Sequence, residues 1–423
     1  MRKLRIILVW TLVSLFLQGG AYFFLNNKVK EVISPSEEPP ITVKLKATIP
    51  GADLTNIQIS YAKDYLAYTE NGTLKIFNLI QGKQVFEKKS PSTTDKTLGV
   101  IAYQWLPDRN TLLYFYAKKN PNEVTTVTIY PKTTVQTPTQ KPTPNQPNTE
   151  DPNQKNDKTG PTVKPNVEPK VVPVVPVEPR IEKRYGNPQI MELYSLELPE
   201  SNDNETLPDD RFNRTIDKLP KGGKIEQLVF STSTNLIYLT VKSPASQQLI
   251  EIDVMKDVST LNKSGETIDN MAASDRYGTL FINSKIGKNH QVIALKGSKR
   301  WVISKNSNDR ILGIRAGKVY IGEVQNDELV KIKTTSDRSD LTDNPSLKTE
   351  WEGLIPFKNV RMLIGSKGQV VVYDHQIAYI VTDGQMKEIK FDGEENYISI
   401  DGAELIQLNQ QETSTLAELQ PLK

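Results

Sequence analysis

Short runs of alternating apolar and polar residues, separated by turn-forming residues, occupy most of the chain after residue 42. The clearest example is an apolar strand that ends at Trp105, a Pro-Asp-Arg-Asn turn, and a second apolar strand from Thr111 to Tyr116. Strands show this pattern because successive side chains point to opposite faces of a sheet. Similar hairpins recur at intervals of about 42 to 47 residues, the period expected of four-stranded β-propeller blades.

These repeats also predict the number of blades. Residues 57–86 contain four short strands separated by Lys-Asp, Asn-Gly and Gln-Gly turns, which makes one complete blade. Further hairpins begin near the following positions: Gly99, Gln227, Met271, Ile311 and Val360. The tail 397–408 lacks at least one strand, and segment 42–48 supplies it if the ring closes on itself. The sequence therefore predicts an all-β fold, a single β-propeller with seven blades favoured and six as the alternative, over a β-sandwich or two smaller β domains.

One interval between hairpins is too long for the repeat. The second blade begins near Gly99 and the third near Ile225, about 126 residues later. Residues 131–188 are rich in Pro, Thr, Asn, Gln and Lys, a composition typical of disordered or polyproline II chain. A clear strand, 190–198, and a second polar loop, 201–221, follow. We therefore expect a long disordered Pro-rich loop inserted in the second blade, either as a passive insertion or as a contact for a partner.

The N-terminal segment has the pattern of a membrane anchor. Three basic residues within positions 1–5 precede residues 6–25, which are almost entirely apolar and long enough to cross a bilayer as a helix. The positive-inside rule then places the N-terminus in the cytoplasm. A cleaved signal peptide with Gly19-Gly-Ala21 as its cleavage site is the alternative. The apolar run continues through Tyr22–Leu25, which favours an uncleaved signal anchor.

The chain is thus expected to divide as follows: 1–30 as an N-terminal signal anchor and transmembrane helix, 31–41 as a tether, 42–130 as the first part of the propeller, 131–188 as the Pro-rich disordered insertion, and 189–423 as the second part of the propeller. This organisation predicts a single-pass protein of the cell membrane. Its N-terminus is cytoplasmic and its propeller extracytoplasmic.

Composition excludes several classes of site. The 53 basic and 50 acidic residues nearly balance, with no basic stripe, so we expect no nucleic-acid partner. The chain has no cysteine, which excludes disulfides, thiolate catalysis and zinc–thiolate sites. Its two histidines, His290 and His375, are too few for a site built on several imidazoles, and we interpret both as solvated or capping residues.

Two segments resemble known propeller families. Trp105-Leu-Pro-Asp-Arg-Asn-Thr-Leu-Leu-Tyr-Phe115 resembles the Trp-Ser-Pro-Asp-Gly hairpin of TolB-like propellers and of the propeller domain of prolyl-oligopeptidase-type peptidases. Gly72–Leu79, with the turn at Gly82-Lys83, is similar to the third strand and turn of WD40-type blades. The resemblance implies a propeller over residues 42–420 and is weak as evidence of function, because propellers host unrelated functions. The α/β-hydrolase domain and Gly-x-Ser-x-Gly motif of the peptidases do not occur in the sequence.

Other catalytic motifs are also missing from the sequence. It contains no phosphate-binding loop, no dinucleotide-binding glycine motif and no His-Glu-x-x-His. Ser274–Phe281 comes near the Asp box of sialidase-type propellers but sets Asp275 one position early, so we interpret it as a hairpin turn. Asp392–Asn396 lacks the alternating ligand spacing of a calcium loop. We expect no cofactor and no metal, and an enzymatic role is the less favoured one.

Binding is the function that these patterns favour. A propeller presents a broad face ringed by loops. The candidate contacts on it are aromatic residues near turns, namely Trp105, Tyr277 and Trp351. The alternative is that each of them packs within a blade or between blades. We expect an extracytoplasmic scaffold of the bacterial cell envelope, held in the membrane through residues 6–25, that binds a protein or glycan partner.

Two other functions remain open. One is a carbohydrate-active or other hydrolytic propeller enzyme, with channel carboxylates that the sequence does not identify. The other is a sensor that signals through the single helix. Only five residues precede that helix, which is too short for a cytoplasmic output domain, so the sensor ranks last.

Overall fold

The computed structural model describes residues 45–51, 54–129, 180–186, 188–200, 206–216, 224–243, 246–338 and 340–422, together with positions 15, 18–20, 22, 23 and 25. The chain forms two compact units, one of residues 1–121 with 187–423 and the other of residues 122–186. The first unit contains seven four-stranded sheets, and the second contains a two-stranded sheet. The first unit is therefore a seven-bladed β-propeller, which confirms the favoured number of blades.

In chain order the strands are β1 (Leu45–Pro50), β2 (Thr55–Ile59), β3 (Tyr65–Glu70), β4 (Thr73–Asn78), β5 (Lys83–Lys88), β6 (Gly99–Trp105), β7 (Thr111–Lys119), β8 (Val124–Ile129), β9 (Arg180–Tyr185), β10 (Gln189–Glu197), β11 (Asp209–Ile216), β12 (Lys224–Ser231), β13 (Leu236–Lys242), β14 (Gln247–Ile252), β15 (Val258–Thr260), β16 (Glu266–Ala273), β17 (Leu280–Ile286), β18 (Asn289–Lys296), β19 (Lys299–Ser304), β20 (Asp309–Arg315), β21 (Lys318–Gln325), β22 (Glu328–Ser336), β23 (Lys348–Pro356), β24 (Arg361–Ile364), β25 (Val370–Tyr373), β26 (Ile377–Thr382), β27 (Gln385–Lys390), β28 (Glu395–Ile398), β29 (Glu404–Gln410) and β30 (Ser414–Pro421). A 3₁₀ turn, Thr232–Thr234, separates β12 from β13.

Each blade is an antiparallel sheet whose strands we label A to D in the order of their hydrogen-bonded neighbours. The blades are β2–β5, then β6, β7, β10 and β11, then β12–β15, β16–β19, β20–β23 and β24–β27, and finally β28, β29, β30 and β1. The D strand of blade 7 is thus the N-terminal strand, with Leu45 opposite Leu419 and Pro50 opposite Ser414. Segment 42–48 was expected to close the ring, and β1 confirms it. Closure of this kind covers the sheet edges that blade 7 would otherwise expose.

The A strands lie innermost and are tied to one another by side-chain amides. Gln58 donates to the Tyr103 carbonyl at 3.0 Å, Gln227 to the Asp269 carbonyl at 2.7 Å, and Asn270 to the Ile311 carbonyl at 2.7 Å. The A strands of blades 1 to 5 each carry an irregularity in their pairing with the B strand. A bulge leaves a backbone group without its ladder partner. The amides of neighbouring blades satisfy such groups around the channel.

The hydrophobic core lies between the blades. One cluster combines Tyr65 and Ile76 of blade 1 with Trp105, Leu112 and Leu196 of blade 2. Middle strands such as β3 are buried on both faces because a neighbouring blade covers each side. Outer strands such as β27 are mostly exposed and therefore polar.

The propeller has two faces that the strand order defines. The A–B face is the end formed by the A–B and C–D turns, and the B–C face is the opposite end. Leu45 begins a D strand and Leu422 donates its N–H to the Ala403 carbonyl, at 2.8 Å, beside the A–B turn of blade 7. Both ends of the described propeller therefore lie at the A–B face.

The insertion leaves blade 2 between strands B and C. Lys119 of β7 pairs with Gln189 of β10, so the chain departs from and returns to the B–C face. In the second unit β8 and β9 form an antiparallel pair from Val124 opposite Tyr185 to Ile129 opposite Arg180. Residues 130–179 lie outside the described part.

The structure differs from the sequence expectation in two strands. β9 lies within the range 131–188, which we expected to be disordered, and β11 lies within the expected second polar loop. β9 is exposed along its whole length and β11 is exposed or half-buried except at Ile216, and both sequences lack the apolar alternation that marks a strand with one buried face.

The predicted transmembrane segment falls mostly outside the described residues. Positions 15, 18–20, 22, 23 and 25 are helical. Among the residues that the structure describes, no helix combines the length and apolar character needed to cross a bilayer.

Candidate functional sites

The A–B turns ring the mouth of the central channel because the A strands are innermost. A buried ion pair joins the first and last blades there, with Lys63 Nζ 2.7 Å from Asp401 Oδ2. Asp401 also accepts the N–H of Ser366 from blade 6 at its carbonyl, at 2.8 Å. Asn110 of blade 2 donates to Asp64 of blade 1 at 3.2 Å. These polar contacts connect the A–B turns of blades 6, 7, 1 and 2.

Further charged side chains lie around this mouth, among them Asp108, Arg109, Asp275 and Arg315. Arg109 forms an exposed ion pair with Asp108, at 2.8 Å. Asp275 accepts a hydrogen bond from the Thr232 N–H at 3.3 Å. The surrounding turns reduce the hydration of the Asp275 carboxylate and so raise its pKa above the ordinary value, although the residue is exposed. Thr232 and the charge of Arg315 oppose the rise, and the charge of Asp108 adds to it. The mouth is thus a polar surface with both signs of charge.

The structure does not bring the three predicted aromatic contacts together. Trp105 is fully buried between blades 1 and 2, where its indole N–H donates to the Gln58 carbonyl at 3.3 Å. Trp351 is buried in the core between blades 5 and 6. For both residues the structure shows the alternative interpretation, packing between blades, because neighbouring blades cover the aromatic side chains at these strand positions. Tyr277 is half-buried in the A–B turn of blade 4, with the Arg276 guanidinium 5.4 Å from its ring centre.

A cluster of tyrosines lies on the blade 2 face that packs towards blade 1. The rings of Tyr114 and Tyr194 stack with centres 5.0 Å apart, and Tyr116 meets Tyr194 edge-on at 6.3 Å. Lys88 of blade 1 places its ammonium 3.9 Å from the Tyr194 ring centre and 2.8 Å from the Asp210 carboxylate. Rings and carboxylate together form a cation site that the chain's own Lys88 occupies.

The electrostatics of this cluster keep its phenols neutral. Burial raises the pKa of Tyr194 to about 12, and the hydrogen bond to Glu192 and that charge add to the shift. Tyr114 donates to Asp210 at 2.5 Å. The alternation Tyr114-x-Tyr116 was a visible sequence signal of a shared face. Lys88 and Asp210 were not predictable, because 122 residues separate them.

The β8–β9 pair of the second unit presents unpaired edges. Within the described residues these two strands pair only with each other. Val124, Ile181 and Tyr185 are exposed and lie on one face of the pair, as the register shows. An exposed strand edge with apolar side chains is a surface to which another protein can add a strand.

Charged groups buried elsewhere are held by partners within the fold. Glu266 accepts hydrogen bonds from Arg300 and Ser284. Lys333 bridges Asp309 at 2.9 Å and Glu323 at 2.7 Å. Among the described residues no three His, Asp or Glu side chains converge in an arrangement that could hold a metal ion.

Comparisons with solved structures find β-propeller domains. The chain is similar to the β-propeller domain of Cps50 (Swd1) from Myceliophteria thermophila, at 10% identity and a TM-score of 0.48, over 90% of this chain and 100% of that one. It is similar to the propeller domain of the trilobed protease of Pyrococcus furiosus, at 9% identity and 0.45, over 89% and 96%. TolB from Acinetobacter baumannii matches at 9% identity and 0.36, over 56% and 60%.

No family model matches the chain, and no curated protein does either. The likenesses to solved structures are too distant to carry function. The assignment of the fold rests on the sheet topology, which makes this chain a seven-bladed β-propeller resembling TolB and WD40 domains.

Proposed function

We propose that this protein is a membrane-anchored, extracytoplasmic β-propeller that binds a protein partner as a scaffold of the bacterial cell envelope. The β8–β9 pair carries the binding part of the proposal, because it combines strand edges that pair with no other described strand with the exposed side chains of Ile181 and Tyr185. The apolar run at residues 6–25, preceded by basic residues, supports the anchor.

The strand order places the two chain connections of such a scaffold on different faces of the propeller. The chain enters the propeller at Leu45 on the A–B face, and it leaves blade 2 for the insertion at Lys119 on the B–C face. An anchor before Leu45 therefore attaches to one face, and the segment that we propose for partner binding departs from the other.

Crosslinking and pull-down from native envelopes test the binding part. The full chain is compared with an Ile181→Asp, Tyr185→Ser variant and with a Glu182→Ser control on the other face of the pair. We expect a specific partner to be lost only in the double variant. Retention in all three contradicts partner binding by β8–β9. Resistance of the full chain to alkaline carbonate extraction tests the anchor, and release from membranes contradicts it.

A hydrolytic enzyme is the second candidate, and one observation favours it. Asp275 lies in an A–B turn at the channel mouth, and burial, with a small contribution from the charge of Asp108, raises its pKa, as a general acid requires. The ion pair of Asp108 with Arg109 and the nearby charge of Arg315 weaken this case. Screening of the full chain and an Asp275→Asn variant on glycan substrates tests it, and activity that the substitution removes would establish the enzyme.

A further inference from the structure

Large apolar side chains project from the C–D turns of three successive blades. Ile80 in blade 1 is 53% exposed, and Leu207 in the loop before β11 of blade 2 is 82% exposed. In blade 3 the adjacent Val254 and Met255 are 61% and 76% exposed. Single exposed apolar side chains are ordinary, whereas a group of them on one part of a surface can mark a site of protein or membrane contact.

These turns lie beside the point where the chain enters the propeller. Leu45 is the first residue of the D strand of blade 7, so it occupies the position of a C–D turn in that blade. Around the ring, the chain entry in blade 7 is followed by Ile80, Leu207 and then Val254 and Met255. The apolar turns and the chain entry therefore form one continuous arc of the A–B face.

The opposite arc is polar. The C–D connections of blades 4, 5 and 6 contain Ser298, Asp340 and Asp383, respectively, and Asp383 stands next to Gly384. The exposed large apolar side chains of the C–D turns therefore lie on the side of the chain entry, where polar residues such as Gln81 and Asp257 accompany them.

Nineteen residues, 26–44, connect the end of the apolar segment to Leu45. A fully extended chain of that length reaches at most about 65 Å, so the apolar segment lies within that distance of the chain entry. Binding at a membrane surface strengthens with the apolar area that enters the headgroup region and with attraction to anionic lipids.

We infer that the C–D turns of blades 1, 2 and 3 rest on the outer surface of the bilayer and insert Ile80, Leu207, Val254 and Met255 among the lipid headgroups. This inference rests on the proposed membrane anchoring and deepens it. It assigns the A–B face to lipid and leaves the B–C face directed away from the membrane.

Single-cysteine labelling tests the inference, because the natural chain contains no cysteine. The full-length protein carries an environment-sensitive fluorophore at Met255→Cys or Leu207→Cys and is reconstituted into liposomes that contain spin-labelled phosphatidylcholine. Ser298→Cys is the matched control on the polar arc, and Lys288→Cys, in the B–C turn of blade 4, is the control on the other face.

We expect the spin-labelled lipid to quench the fluorophores at 255 and 207 severalfold more than those at 298 and 288. Equal quenching at all four positions overturns the inference. Flotation of the protein with the liposomes reports the anchor separately. Protein that floats without quenching at 255 and 207 overturns only the bilayer contact, whereas protein that fails to float overturns the anchor and the contact together.

Discussion

Lys63 of the first blade and Asp401 of the last form an ion pair of 2.7 Å in which both side chains are almost completely buried. The pair lies where the two ends of the ring meet, next to the strand pairing between β1 and β30. The ring is thus closed by a buried ion pair between A–B turns in addition to the main-chain hydrogen bonds of blade 7.

Removal of one partner of this pair should strongly destabilise the propeller. Lys63→Met leaves the Asp401 carboxylate buried without its cation, and we expect a loss of about 3–5 kcal/mol in the free energy of unfolding. Urea denaturation measures it. Asp401→Asn added to Lys63→Met should recover part of the loss. Lys331→Met, which removes an exposed ion pair with Glu352, should cause no measurable change. Equal changes in the free energy of unfolding for Lys63→Met and Lys331→Met would contradict the expected cost of an unpaired buried carboxylate.

The tyrosine cluster should fasten blade 1 to blade 2. Lys88→Met keeps the aliphatic contacts but removes the cation over the Tyr194 ring and the ion pair with Asp210, so we expect a loss of about 1–2 kcal/mol. Urea denaturation again gives the value. Lys88→Arg should retain most of the stability. Lys89→Met, at the exposed neighbouring position, is the control, and it should leave the stability unchanged.

Alkaline pH should weaken this cluster. The pKa of Tyr194 is about 12 in the folded protein and about 10 in an unfolded chain. The folded state therefore holds this proton more tightly, and its contribution to stability is complete below pH 10 and declines as the pH rises towards 12. Urea denaturation across that range measures the decline. Tyr194→Phe should make the free energy of unfolding less dependent on pH in this range. The same pH dependence in both proteins would exclude Tyr194 as a cause.

A buried hydroxyl without a partner should be dispensable. Tyr68 is fully buried, and its hydroxyl has no hydrogen-bond partner among the described residues. We expect Tyr68→Phe to leave the free energy of unfolding unchanged or to raise it by about 1 kcal/mol. Tyr238→Phe is the matched comparison, because that hydroxyl donates to the Gly278 carbonyl at 2.8 Å. It should lose about 1 kcal/mol. A larger loss for Tyr68→Phe than for Tyr238→Phe would contradict the assignment.

The propeller should not need its insertion. Lys119 and Gln189 are already paired neighbours, so a short Asn-Gly turn can replace residues 122–186. Closing a shorter loop costs less entropy, and we expect the free energy of unfolding to stay constant or to rise by about 2 kcal/mol. A deletion extended to 118–190 removes ladder pairs and should destabilise blade 2. Unfolding of the first variant would show that the insertion supports the ring.

The sequence was sufficient to predict the ring because the signals that define it are local. Hairpins such as 99–116 have both strands and their turn within one window, so the repeat length and the missing strand of the last blade could be read directly. β11 was missed for the opposite reason. It is an outer strand of exposed and half-buried residues, and its sequence Asp-Asp-Arg-Phe-Asn-Arg-Thr-Ile carries almost no apolar alternation.

The candidate sites were less predictable because they combine distant residues. Trp105 looked exposed because it precedes a turn, whereas the packing of blade 1 against blade 2 buries it. Sequence spacing gave no information on which blade would cover it. The contact between Lys88 and Asp210 depends on the same packing.

The pairing of β1 with β30 has a consequence for the order in which the protein can assemble. Gly51 accepts a hydrogen bond from Thr415, which lies 364 positions later in the chain. Until synthesis has passed that point, β1 has no strand beside it and blade 7 lacks its two outer strands. A premature stop between Gln410 and Ser414 therefore leaves the edge of β29 open and β1 unpaired, which quality-control proteases and chaperones can distinguish from the finished protein.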